Sequence, residues 1–127
     1  MNTTVDPPAI AAPAANYAHA VLSTDARRLL HSAGVVPVRP DGTVPDGVAE
    51  QATVVWQNIA AILAEAAMDM SDIVSMTTYV VAGEDLGAVM AARDTALGGH
   101  RAASTLVIVP ALARPQWLVE VAVVAAR

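Results

Sequence analysis

The sequence predicts an α+β domain: a single mixed β-sheet with two helices on one face, in the order β-β-α-β-α-β-β. Three observations carry this reading. Two segments repeat apolar residues at intervals of three and four, and β-branched runs stand between and after them. Those runs are apolar on both faces, as in Leu106 with Ile108 and Val107 with Val109. Two helices can cover one face of such a sheet, so self-association is expected to cover the other. The length of 127 residues suits one domain with a real core.

Residues 1–15 read as an extended N-terminal arm, because Asp6-Pro7-Pro8-Ala9-Ile10-Ala11-Ala12-Pro13 is rich in proline and alanine. The domain proper is placed at residues 16–127. Residues 17–22 and 28–33 read as two strands joined at Ser23-Thr24-Asp25-Ala26, which makes a hairpin. Arg39-Pro40-Asp41-Gly42 and Pro45-Asp46-Gly47 punctuate a loop. The first helix is the clearest element: Val48, Ala52, Val55, Ile59, Ile62, Leu63 and Ala66 form one apolar face, with Asp46 as the expected N-cap. Residues 72–81 are β-branched and read as a buried strand. Glu84-Asp85 open a second helix, where acids suit the dipole, and Gly98-Gly99 end it. A strand over 104–109, a loop with Pro110 and Pro115, and a strand over 117–125 complete the chain.

Composition excludes several kinds of chemistry. There is no Cys, hence no disulfide, thiolate ligand or Cys nucleophile. All seven basic residues are Arg, so no lysine Schiff base can form. A net charge of −5 and four Trp and Tyr in all speak against a nucleic-acid groove, which needs clustered cations and stacking aromatics. No apolar run reaches membrane-spanning length and no export signal is visible, which points to the cytoplasm. His19, His31 and His100 lack metal-ligand spacing, so neither a metal nor another cofactor is expected.

The chemistry-bearing candidate is Glu120. Alternation along the last strand puts Leu118, Glu120, Ala122 and Val124 on one face, and Glu120 is that face's sole polar side chain. A carboxylate there must find a partner, stay protonated or open onto a cavity. A structural ion pair at a sheet edge is the alternative. Gly34 either permits close backbone approach to a ligand or fits a tight turn. Ser104 and Thr105 either donate into a pocket or cap a strand. Trp117 either covers a pocket rim or is simply buried.

Ser32-Ala33-Gly34 with Val36-Pro37, Asp41-Gly42-Thr43-Val44, Gln51, Asn58-Ile59, Asp72-Ile73-Val74, Ser104-Thr105 with Leu112, and Val119-Glu120-Val121 occur in an order and spacing that resembles the RidA family, also called YjgF or L-PSP-type proteins. The resemblance runs from about Tyr17 to Ala125. It implies a chorismate-mutase-like fold, a homotrimer, and small-molecule pockets between subunits that hydrolyse reactive enamines and imines such as 2-aminoacrylate. It implies that Glu120 positions the attacking water. Tyr17, the backbone at Ala33 and Gly34, and Thr105 are then expected to shape the pocket.

The family's carboxylate-gripping Arg does not carry over. Where the pattern reads Pro-Ala-Arg-Ser, this chain reads Arg101-Ala102-Ala103-Ser104, and Ala103 cannot replace a bidentate guanidinium. Arg101, two residues earlier, is on the same strand face if the strand starts that early; otherwise it is a solvated loop residue. Three functions follow: a deaminase-type hydrolase of small imines, enamines or related carbonyl compounds with an altered pocket; a non-catalytic ligand-binding trimer; and an endoribonuclease or translation inhibitor, which the acidic, lysine-free composition opposes.

Overall fold

The computed structural model describes residues 1–127. The strands are β1 (Asn2–Val5), β2 (Ala20–Ser23), β3 (Leu29–His31), β4 (Ile73–Val81), β5 (Ala103–Val109) and β6 (Val119–Ala126); the helices are α1 (Val48–Glu65) and α2 (Leu86–Leu97). The main sheet has the order β3-β6-β4-β5. Only the β4–β5 pair is parallel, joined through α2; the other pairs are antiparallel, so the sheet is mixed as expected.

The N-terminal half of the sequence reading needs correction. Residues 2–5 of the arm form β1, which pairs with β2 as a separate two-stranded ribbon. β2 and β3 do not form a hairpin: β3 pairs with β6 instead. The ribbon joins the rest through a parallel bridge from Ala18 to Ala103. A local turn signal at 23–26 cannot reveal which distant strand each arm will meet.

Alternation decides the two faces of the sheet. Val119, Val121, Val123 and Ala125 of β6 are buried, together with Met76, Val80 and Thr78 of β4. They pack on α1 through Val48, Ala52, Val55, Ile59 and Leu63 and on α2 through Val89 and Leu97. Fully burying an aliphatic side chain of this size stabilises by roughly 1.5–3 kcal/mol. Trp56, which the periodicity left at the helix margin, is buried, while Ile62 is partly exposed. Ser75, Thr77 and Tyr79 of β4 and Glu120, Ala122 and Val124 of β6 alternate with these residues, lie on the opposite face and are half-buried.

The N-cap of α1 is Gly47, not the expected Asp46, and no side chain caps the helix. Its first turn is held from within. Gln51 is fully buried; its Nε2 donates to the Pro45 carbonyl at 2.7 Å and the Gln116 carbonyl at 2.8 Å, and its Oε1 accepts from Leu118 N–H at 2.8 Å. α2 is capped by Asp85, which accepts from Ala88 N–H, and stops at Gly98 in the left-handed conformation.

Gln51→Leu keeps the volume but leaves three backbone groups without partners. Each buried unsatisfied group costs about 1–3 kcal/mol, so urea denaturation is expected to show a loss of at least ~2 kcal/mol. A loss within experimental error means that water replaces the amide.

Candidate functional site

Glu120 sits opposite Tyr79 in the β4–β6 register, on the face away from the helices. Its carboxylate lies against Gly34: a Cβ at Gly34 would stand 2.0 Å from Oε2, 2.7 Å from Cδ and 3.1 Å from Cγ. The Gly34 backbone has no positive φ, so the glycine is needed here for space and not for a turn. The loop is pinned in place from two sides. Val35 exchanges backbone hydrogen bonds with Val121 at 2.7 and 3.1 Å. Asn58 Nδ2 on α1 donates to the carbonyls of Val36 and Val38 at 3.2 and 2.9 Å.

The ion pairs of the chain are Arg39–Glu50, Arg93–Asp94, Arg101–Asp6 and Arg127–Asp72. Glu120 takes part in none of them. A half-buried carboxylate free of any cation in its own chain can accept hydrogen bonds from a ligand or a water. Gly34 and Ala33 also line an open concavity of about 460 Å³ with His31, Ser32, Asn58 and Ile62. The largest groove lies elsewhere, between α1 and α2, walled by residues such as Ala49, Ala60, Ala88 and Ala92. It carries no charged group; its polar side chains are Thr53, Gln57 and Thr95.

The other sequence candidates gather at the start of β5. Ala103 lies level with Ser75 of β4, and Thr105 with Thr77. Ala103 is adjacent to Ala18, whose N–H donates to the Ala102 carbonyl at 3.0 Å, so Tyr17 stands beside this strand end. Ser104 falls on the helix-facing side by alternation. Thr105 is exposed on the free edge strand.

Arg101 precedes the strand, and its guanidinium is already engaged. Nη2 donates to Asp6 Oδ2 at 2.8 Å and to the Tyr17 carbonyl at 2.8 Å, and Nε reaches the same carbonyl at 3.2 Å. Asp6 Oδ1 accepts from His19 N–H at 2.7 Å. That backbone bond, and then Arg101, hold the Asp6 carboxyl below its ordinary value of 3.8.

The chain thus divides its candidates into two groups. Glu120 is opposite Tyr79 and Ala103 is opposite Ser75, four residues apart on β4 and on opposite flanks of it. At ~3.3 Å per residue and ~4.8 Å per strand, Ala103 is roughly 16 Å from Glu120, and Thr105, level with Thr77, is roughly 12 Å from it. Within one chain, a small ligand seated at Glu120 does not reach Ala103.

Trp117 is half-buried, with the Arg114 guanidinium 5.9 Å from its ring centroid and an indole N–H that lacks a partner. His19 and His100 bond to the carbonyls of Ala11 and Ile73, and no three His, Asp or Glu side chains converge as metal ligands. Arg93 is the polar residue that sequence reasoning missed. Its position on the apolar stripe of α2 gave no signal, yet it is buried, with Nη2 lacking an aligned acceptor although Asp94 lies 2.9 Å away.

Gly34→Ala is expected to leave the backbone undisturbed and to swing the Glu120 carboxylate away, because a flexible side chain yields before a strand does. The Glu120 side-chain carbon resonances then shift while the melting temperature moves by less than about 4 °C. In a Glu120→Ala background the same change is neutral; a large loss of stability there places the clash in the backbone.

Acid weakens the Asp6 anchor in one direction. A lowered folded pKa means that its stabilisation is present above 3.8 and is lost as pH falls through the folded value. Amide exchange in β1 is expected to rise in that acid range, and Asp6→Asn removes the pH dependence.

A family model described as Endoribonuclease L-PSP matches residues 8–127. Among curated proteins none matches the sequence. The structure is similar to that of YyfB from Yersinia pestis, a Rid-family protein of unknown function, at 28% identity and a TM-score of 0.89, covering 99% of this chain and 98% of that one. An L-PSP protein of Entamoeba histolytica is similar at 25% identity and a TM-score of 0.75 over 100% of both chains. Yeast Mmf1 is similar at 25% identity and a TM-score of 0.72, covering 99% and 98%.

Proposed function

The chain belongs to the Endoribonuclease L-PSP family, and from that membership we propose that it forms a homotrimer whose subunit boundaries hold pockets for small imines, enamines or related carbonyl compounds. The observation that carries this reading is Glu120: a half-buried carboxylate, free of any cation in its chain, seated against a glycine where any side chain would displace it. In the pocket it accepts a hydrogen bond from water and turns the oxygen lone pair toward the electrophilic imine carbon. Water adds to that carbon as one of its protons passes to the nitrogen, and the C–N bond of the carbinolamine then breaks as the hydroxyl proton is transferred to the leaving nitrogen, giving a carbonyl compound and an amine or ammonia.

The separation of the two residue groups supports a pocket built by two chains. Glu120 and Gly34 of one copy can meet Tyr17 and Ala103 of another, which lie too far apart within one chain to share a small ligand. Assembly also covers the half-buried sheet face and the β5 side chains of Leu106, Val107 and Ile108, which are each more than a third exposed in the single chain.

Substrate charge follows from the cations. Ala103 has no group to grip a carboxylate, and the guanidinium of Arg101 is held by Asp6 and Tyr17. A lost charge-assisted bond costs about 1.5–3 kcal/mol, so the pocket favours uncharged substrates over amino-acid-derived ones such as 2-aminoacrylate. The same observation favours a second reading, a trimer that binds small ligands without turning them over.

Sedimentation is expected to show a species of three 13.0 kDa chains; a stable monomer at micromolar concentration defeats the pocket assignment. Hydrolysis of an uncharged imine is expected to exceed that of 2-aminoacrylate. Glu120→Gln should keep the trimer and lower turnover ~10²-fold or more. Ligand binding without turnover in the wild type selects the second reading.

A further inference from the structure

The Asp6–Arg101 pair occupies a place that the hydrolase reading leaves without a role. Arg101 is the cation nearest in sequence to Ala103, two residues away, at the end of the strand that carries it. It also lines an open cleft of about 430 Å³ with Asn2, Thr3, Thr4, Gly99 and His100. A ligand carboxylate entering this cleft would meet hydroxyls, an amide and a guanidinium. It finds the guanidinium taken. Asp6 Oδ2 accepts from Nη2 at 2.8 Å, and Asp6 is itself held by the His19 N–H at 2.7 Å. The Tyr17 carbonyl fixes the same guanidinium by two further bonds.

We infer that Asp6 is an internal carboxylate that locks Arg101 and so excludes carboxylate ligands from this end of the molecule. Asp6 determines specificity and does no chemistry. The inference rests on the uncharged-substrate reading above and deepens it: selectivity comes from the absence of Arg at 103 and also from an anion of the chain's own placed on the one guanidinium nearby.

Three features make the lock specific. The carboxylate belongs to the exposed segment just after β1, so the backbone pairing of the ribbon sets where it stands. Both of its oxygens are used, one by a backbone N–H and one by the guanidinium, which fixes its orientation. Its carboxyl is held below the ordinary value, so it stays charged at neutral pH. An incoming carboxylate must displace a preorganised one while meeting like-charge repulsion.

Asp6→Asn keeps an oxygen for the His19 N–H and removes the charge. Binding of pyruvate and of its uncharged ester, methyl pyruvate, is measured by NMR titration on the full-length protein and on Asp6→Asn, Asp6→Asn/Arg101→Met and Glu120→Gln. Wild type is expected to bind the ester in preference to the acid. Asp6→Asn should strengthen pyruvate binding roughly threefold or more and leave the ester unchanged. Arg101→Met in the Asp6→Asn background should abolish the gain, and the Arg101 Nε–H resonance should move on pyruvate addition only in Asp6→Asn. Unchanged pyruvate binding in Asp6→Asn overturns the lock, as does a gain that persists without Arg101. The hydrolase reading fails separately, through ester binding and imine turnover that Glu120→Gln does not touch.

Discussion

The buried amide of Gln51 is the constraint on which the arrangement depends. It sits on the first turn of α1 and bonds to three backbone groups: one before the helix, and two where the chain enters β6. α1 begins without a side-chain cap, and a helix end so left relies on other contacts for definition. Gln51 supplies them, and by accepting from Leu118 N–H it sets where β6 starts. Glu120 follows two residues later. The register with β4 then fixes the carboxylate opposite Tyr79, and the Val35–Val121 bridge places Gly34 against it. A polar contact in the core thus determines the position of a charged group on the far face.

That far face explains why the fold and the site are one problem. Alternation along β4 and β6 gives the helices the aliphatic side chains and gives the other face Ser75, Thr77, Tyr79 and Glu120 among alanines and valines. Such a face is too apolar to be left to water over its whole extent and too polar to be an ordinary core. A neighbouring copy resolves both demands if it buries the apolar part and leaves a space where the polar groups stand. The distance between the Glu120 and Ala103 groups, set by their places on β4, imposes the same requirement from the side of chemistry.

The sequence made local features legible and long-range ones obscure. α1 stood out because seven apolar residues kept helical spacing, and Gly98-Gly99 marked the end of α2 because a left-handed residue there favours glycine. Glu120 was legible because a lone acid in an apolar strand breaks the pattern. Gly34 was legible only as one of two alternatives, since crowding by a side chain 86 residues away leaves no local trace. The ribbon of β1 and β2 was obscured for the same reason. Asn2-Thr3-Thr4-Val5 is too short and polar to announce a strand, and its partner is set by tertiary contacts. Arg93 gave no signal, because an arginine on a helix ordinarily extends its charge to water; here its side chain is buried in the helix–sheet layer beside Thr78 and Leu106.

Charge placement gives the last step. The chain has seven cations against twelve acids; Arg114 lies over the Trp117 ring without an ion-pair partner, and three others are committed. Arg101 is bound to Asp6, Arg93 lies behind the sheet beside Asp94, and Arg127 is turned to Asp72 at 3.7 Å. Glu120 adds a negative charge of its own. On the proposed reading, a ligand carboxylate at Glu120 would meet one fixed anion, and the guanidinium beside Ala103 is already held by Asp6. An uncharged imine or carbonyl compound meets no such repulsion and can still accept or donate a hydrogen bond at Glu120 and the Gly34 backbone. Under the proposed function, selectivity would follow from where the chain's anions stand as well as from the alanine at position 103.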